Sequence, residues 1–339
     1  MNHNLEWIEQ TLSHEESDAV PYQFSFSPPA RTRTEQYYGP DFEQTLDFPI
    51  RMTGLNSIKP LYPDPDDFGD TVQDEFGVTW STNKIDRGAP IGPCLTEPTL
   101  SGYSFPDSEQ PFRFKDIGSW CFKNKGNYRI IWVGDLWERA TFMRGMTDLL
   151  LDVALNTRFV EALLRGIADC VLRSMEILFD RFEFEGVAIS DDYGTQKATI
   201  ISPEDWRKLV KPCLSGIYAL AKKNGRTVFH HSCGHIVPII GDMIDIGLDI
   251  LHPIQPEAMD ILFLKKEFGS RLTLCGGVST QDLLVNATPD QVRQEVRHLK
   301  RQMGKAGGYI LEPGITLQND VPLENIIAMI NEARSQDQT

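Results

Sequence analysis

The chain has 339 residues, 41% hydrophobic and 24% charged, with a net charge of −15. This is enough apolar material for the core of one large α/β domain, and the acidic balance excludes a non-specific nucleic-acid binder, which needs a basic surface for phosphates. No run approaches the ~18 apolar residues that span a bilayer, and the start "MNHNLEWIEQ" lacks the basic and apolar parts of a signal peptide. Six dispersed cysteines do not resemble a disulfide framework, so a reducing cytoplasm is the expected setting, with no membrane partner.

Residues 1–125 read as an irregular N-terminal extension, rich in Pro, Gly and aromatics, with a hairpin around "EFGVTWSTNKIDRGAP". From 126 to 339 the text alternates short apolar runs with amphipathic segments. "YRIIWVGD", "FEGVAISDD", "RTVFHHS", "LDILHPI", "RLTLCGG" and "GGYILEPG" are predicted strands. Between them, "ERATFMRGMTDLLLDVALN", "TRFVEALLRGIADCVLRSMEILFDRF", "SPEDWRKLVKPCLSGIYALAKKNG", "HIVPIIGDMIDIG", "EAMDILFLKKEFG" and "TPDQVRQEVRHLKRQMG" carry helical spacing, and "LENIIAMINEAR" closes the series. Ser202 followed by Pro203 marks a helix start. Such βα alternation, with strands apolar on both faces, predicts a parallel sheet closed as a TIM-type (β/α)8 barrel, packed with its extension as one compact domain.

The successive strands end on Asp135, Asp191/Asp192, His231/Cys233, His252/Gln255, Cys275 and Glu312. In a barrel these ends share one face, where active sites lie. In "VFHHSCGH", His231 and Cys233 stand two apart and can converge on one ion, and Cys275 makes a third donor for zinc with an open fourth position. Buried core packing is the alternative for each. His230 and His235 read as structural. Asp192 and Glu312 are the candidate acid–base residues. Tyr193, Gln196, His252, Gln255 and Glu138 are the candidate substrate contacts, with helix capping the alternative for Glu138 and for one of the paired aspartates.

Taken together, "HSCGHIVPIIGDMIDIGLDILHPIQPEAMD", "LCGGVSTQDLL", "GGYILEPG", "DVPLENIIAM" and "SDDYGTQKATIISPEDWRKLVKP" resemble the uroporphyrinogen decarboxylase superfamily, and within it the cobalamin-dependent methyltransferases. The resemblance implies a distorted barrel with an N-terminal extension. It also implies a zinc ion on a His-x-Cys pair, matched by His231 and Cys233, and a methyl group moved between a small molecule and a corrinoid protein. The later cysteine of that pattern is replaced here by Ile315, after Pro313 and Gly314, which leaves Cys275, Glu312 or His252 to complete the shell. A methoxylated aromatic compound is the substrate form considered. A metal-independent decarboxylase holding carboxylates with Arg31 and Arg33, and a non-catalytic binding protein, are the alternatives.

Overall fold

The computed structural model describes residues 3–335. Its strands in chain order are β1 (Ile50–Gly54), β2 (Thr71–Gln73), β3 (Thr79–Ser81), β4 (Pro90–Gly92), β5 (Tyr128–Asp135), β6 (Gly186–Ser190), β7 (Thr227–His231), β8 (Ile250–Ile254), β9 (Thr273–Val278) and β10 (Tyr309–Pro313). Seven of them form one parallel sheet in the order β1-β5-β6-β7-β8-β9-β10. Helices alternate with the strands and pack on them, notably Thr157–Arg181 on β5, Lys211–Lys223 on β7 and Pro289–Met303 on β9 and β10.

Two apolar layers hold this sheet, because successive side chains of a strand point to opposite faces. Ile50, Ile130, Ala188, Phe229, Ile250, Cys275 and Ile310 point inward and pack together, with Ile8 of the helix His3–Leu12 among them. Their neighbours Ile131, Val187, Val228, Leu251, Leu274 and Leu311 point outward under the helices. Each large apolar side chain fully removed from water contributes about 1.5–3 kcal/mol, so both faces of every strand stabilise the curl. The strands therefore read as continuous apolar runs.

The eighth position of the ring is not a regular strand. Residues 21–27 run parallel to β10 and its continuation, tied to them by a few backbone bonds. Gln23 donates to Leu311 O at 3.0 Å, Leu311 to Pro21 O at 2.8 Å, and Leu317 to Ser25 O at 2.9 Å. Pro21 lacks an N–H and Pro28 opens the helix Pro28–Tyr38, so the run is too short for a full ladder. Among the described residues no ladder bond joins this segment to β1. A cavity of about 160 Å³ separates them, lined by Gln23, Ser25, Arg31, Glu43, Arg51 and Met52 among others. The first 125 residues thus supply β1 and the seam segment of the ring as well as its cover.

That cover is the antiparallel sheet β2-β3-β4, which includes the expected hairpin. Asp74 anchors it: its buried carboxylate accepts the N–H groups of Phe76 and Val78 at 3.0 Å, Trp80 Nε1 at 2.8 Å and Arg139 Nη1 at 2.6 Å. Arg139 also binds Asp135 at the C-terminal end of β5, so the cover is fastened at the end of the barrel where the strand-end residues lie. Replacing Asp74 by Ala strips four donors of their acceptor and should lower unfolding free energy by about 3 kcal/mol in urea melts, with a smaller loss for Asp74→Asn.

Candidate metal centre

On β7, alternation sends Phe229 and His231 inward and His230 outward, where His230 Nδ1 meets Tyr218 Oη at 2.8 Å and the ring stacks on Tyr193. The chain then turns back sharply. Ser232 N–H donates to His252 O at 2.7 Å, Cys233 N–H to Asp192 Oδ1 at 2.7 Å and Gly234 N–H to Gln255 Oε1 at 2.6 Å. Gly234 has φ +82°, and a Cβ there would lie 2.4 Å from the backbone of Gly194, so only glycine fits this crossing.

The turn folds the thiol of Cys233 back to its own strand end. Its Sγ lies 3.5 Å from His231 Nε2, and Asp192 Oδ1 lies 3.5 Å from the same nitrogen. One donor atom from each of the three residues falls within 4.8 Å of the others. Donors held at ~2.0 and ~2.3 Å by one tetrahedral ion are about 3.5 Å apart, so an imidazole, a thiolate and a carboxylate at this spacing fit zinc with its fourth position open.

Behind His231 runs a second chain of contacts. Its Nδ1 lies 2.9 Å from Nδ1 of His252, and His252 Nε2 lies 3.3 Å from Glu312 Oε2. Glu312 also accepts Cys275 Sγ at 3.2 Å and Ser25 Oγ at 3.1 Å. Trp132 meets the His231 ring edge-on, with centroids 6.2 Å apart.

The expected site is thereby partly rearranged. Cys275 lies outside the three-residue group; its fully buried thiol donates to Glu312 and occupies the inner apolar layer. Burial, then the adjacent carboxylate, pushes its pKa well above the ordinary thiol value, which disfavours the thiolate that a metal needs. Asp192 stands with His231 and Cys233 instead. Glu138 accepts Ser190 Oγ at 2.7 Å, and its pKa is raised by burial and by Asp192 and Asp135. Gln255 spends its oxygen on Gly234, and His252 bridges His231 to Glu312, so both support the turn and the ring. Tyr193 is buried, with its hydroxyl on Asp191, and Gln196 is exposed on the loop after β6. Asp191 itself ties strand ends together, accepting the N–H groups of Leu136 and Glu138 at 2.9 and 2.8 Å. His235 is held by Ala258 O. Ile315 is 38% exposed. Sequence reasoning missed Ser25 and Trp132; the inward alternation of "YRIIWVGD" could have located Trp132, whereas nothing local marks Ser25.

Burial favours the uncharged form of each group, and the neighbours decide the outcome. Burial pushes Asp192 up, but His231 and the Cys233 N–H outweigh it and leave its pKa at about 2. His231 is pulled down by burial and carried well above its ordinary value by Cys233 and Asp192. His252 is driven well down by burial and then by His231. Glu312 is pushed up to about 7 by burial, against the opposing bonds from Cys275 and Ser25.

A cluster of strand-end donors at one mouth of a parallel α/β barrel defines an enzyme-type site. The comparisons place the chain more closely. The family model described as uroporphyrinogen decarboxylase (URO-D) matches residues 133–336, over half of the chain, and the chain belongs to that family. It is 24% identical over 235 residues to the uroporphyrinogen decarboxylase of Psychromonas ingrahamii, a match covering 65% of this chain and only 62% of that relative's length. A methyltransferase from Methanosarcina mazei shares the fold, with a TM-score of 0.70 and 18% identity over 96% of this chain and 97% of the other. Among the described residues no helix is long and apolar enough to cross a membrane.

Glu312 gives a pH test. Its pKa rises from the ordinary glutamate value of 4.5 to about 7 in the fold, so between those values the folded state binds a proton that the unfolded chain has released. Stability is fully present below the lower value and is lost as pH rises through the upper one. In metal-free protein the wild type should lose about 3 kcal/mol between pH 4 and pH 8 relative to Glu312→Gln, read from urea melts at both pH values.

Proposed function

We propose that the chain is a zinc-dependent methyltransferase that moves a methyl group between a small substrate, such as a methoxylated aromatic compound, and a corrinoid carried by a separate protein. The observation that carries this reading is the spacing of His231 Nε2, Cys233 Sγ and Asp192 Oδ1 at the barrel mouth. These three residues would hold the ion, with Asp192 in place of the cysteine that Ile315 replaces. When bound, zinc supplies Lewis-acid polarisation of a substrate oxygen or sulfur at its open position. The chain's own residues do the rest. Asp192 holds the Cys233 turn through its backbone N–H. His252 orients His231 from behind. Trp132 walls the inner side of the site, and Glu138 adds a carboxyl close enough to interact with Asp192.

The two arginines expected to hold carboxylates in the decarboxylase reading are engaged elsewhere. Arg31 is instead paired with Glu35 and Glu43, and Arg33 donates to Asn319 O on the flank.

Cys233→Ser should weaken zinc binding beyond the ~10–100-fold typical of losing an outer support, and should abolish methyl transfer to a corrinoid acceptor. Cys275→Ser should retain stoichiometric zinc. Competition with a chromophoric chelator reads both. Loss of zinc from Cys275→Ser but not from Cys233→Ser would overturn the ligand assignment.

A further inference from the structure

The ring has one open seam. Residues 21–27 bond to β10 and its continuation on one side, and on the other a cavity of about 160 Å³ separates them from β1. Its walls are largely apolar, with Phe24, Phe26 and Phe48 on the outer side and Ile50 and Met52 on the inner. An apolar cavity of about 150 Å³ takes benzene, so this one has room for an organic molecule of roughly six to eight heavy atoms.

Three polar side chains line this space with bonding capacity left over. Arg51 is 7% exposed, and its guanidinium makes one hydrogen bond, from Nη1 to Glu43 Oε2 at 3.2 Å, beside the Phe48 ring. Among the described residues Nε and Nη2 have no acceptor. Glu43 is shared with Arg31, which takes its other oxygen at 2.6 Å and also binds Glu35. Burial holds the Arg51 pKa below its ordinary value against Glu43 and Asp47, so the charge is under-compensated where it stands. On the inner side Gln23 is also 7% exposed, and its Oε1 is buried without a hydrogen-bond partner among the described residues. Ser25 gives its hydroxyl hydrogen to Glu312 at 3.1 Å, so toward the cavity its oxygen can only accept. The cavity thus presents a cationic donor at its outer end and acceptors at its inner end. Water can meet these groups, but it brings no charge to Arg51 and gains nothing from the apolar walls.

We propose that the seam cavity is a binding site for a small hydroxycarboxylate: the carboxylate lies on Nε and Nη2 of Arg51, the hydroxyl donates to Gln23 Oε1, and the hydrocarbon chain packs between the phenylalanines and Met52. The Nε–Nη2 edge of a guanidinium matches the two oxygens of a carboxylate, and this is the edge that Glu43 leaves free. The bound molecule joins the seam segment to β1, a cross-link that backbone bonds do not make there. It touches none of Asp192, His231 and Cys233, so the site stands apart from the methyl-transfer reading.

The test is calorimetric titration of 3-hydroxybutyrate into the full chain, with butyrate and 3-hydroxybutyramide as comparisons. Wild type should bind 3-hydroxybutyrate roughly 5–10-fold more tightly than butyrate, which lacks the hydroxyl, and about 10–100-fold more tightly than the neutral amide. Gln23→Leu should bind 3-hydroxybutyrate and butyrate alike. Arg51→Met, in which Glu43 keeps Arg31, should no longer distinguish the acid from the amide. Cys233→Ser should bind as wild type does. A crystal soaked with 3-hydroxybutyrate should show it between residues 23–26 and β1. No binding by wild type, equal affinity for acid and amide, equal affinity for 3-hydroxybutyrate and butyrate, or a cavity holding only water in the soaked crystal overturns the proposal. These four outcomes need wild type alone, so they decide the matter even if Arg51→Met does not fold. Affinity that falls in Cys233→Ser and not in Arg51→Met places the molecule at the barrel mouth and overturns the proposal as well. A failure of zinc uptake or methyl transfer leaves every one of these readouts in place.

Discussion

Two ring nitrogens at 2.9 Å cannot both carry a proton, nor can both stay bare without repulsion, and this constraint between His231 and His252 organises the site. It couples the outer face of His231, where Cys233 and Asp192 converge, to Glu312, Cys275 and Ser25 deeper in the barrel. Apart from His231 and Cys233, which share β7 and its turn, these residues come from different strands or segments. The coupling exists only because parallel strands deliver their C-terminal ends in register to one face: Ser190 pairs with His231, and His231 with His252.

The turn after β7 adds the second requirement. Residues 232–235 cross the loop after β6 so closely that Gly194 and Gly234 leave no space for a side chain. Three backbone N–H groups are satisfied there, by His252 O, Asp192 and Gln255. The turn is thus rigid on both sides, and the Cys233 thiol is presented by fixed backbone. Asp192 serves this turn and the donor set together, which explains why a loop carboxylate rather than a distant cysteine stands beside the imidazole.

Much of this was legible in the sequence. The apolar runs located the strands from β5 to β10, because a sheet covered on both faces leaves little room for polar residues. The spacing of His231 and Cys233 located their convergence, since period two puts such residues on one face. The choice between Asp192 and Cys275 was not legible: both end strands, and only the fold reveals that the Cys275 side chain belongs to the inner apolar layer. Tyr193 and Gln196 follow Asp192 within four residues, yet one is buried with its hydroxyl on Asp191 and the other exposed, which loop geometry alone decides. The seam segment was invisible for a different reason. Residues 21–27 pair with residues almost 300 positions later, and a run bounded by two prolines carries no strand-like period.

The most direct measurement is a zinc-edge anomalous difference map of crystals grown with zinc, supported by X-ray absorption. An ion ligated by Asp192, His231 and Cys233 gives one sulfur at ~2.3 Å and nitrogen or oxygen ligands at ~2.0–2.2 Å. Its density should lie at the barrel mouth, with Cys275 still on Glu312. A second sulfur in the shell, or density between Cys275 and Glu312, would contradict the ligand set on which the site's chemistry rests.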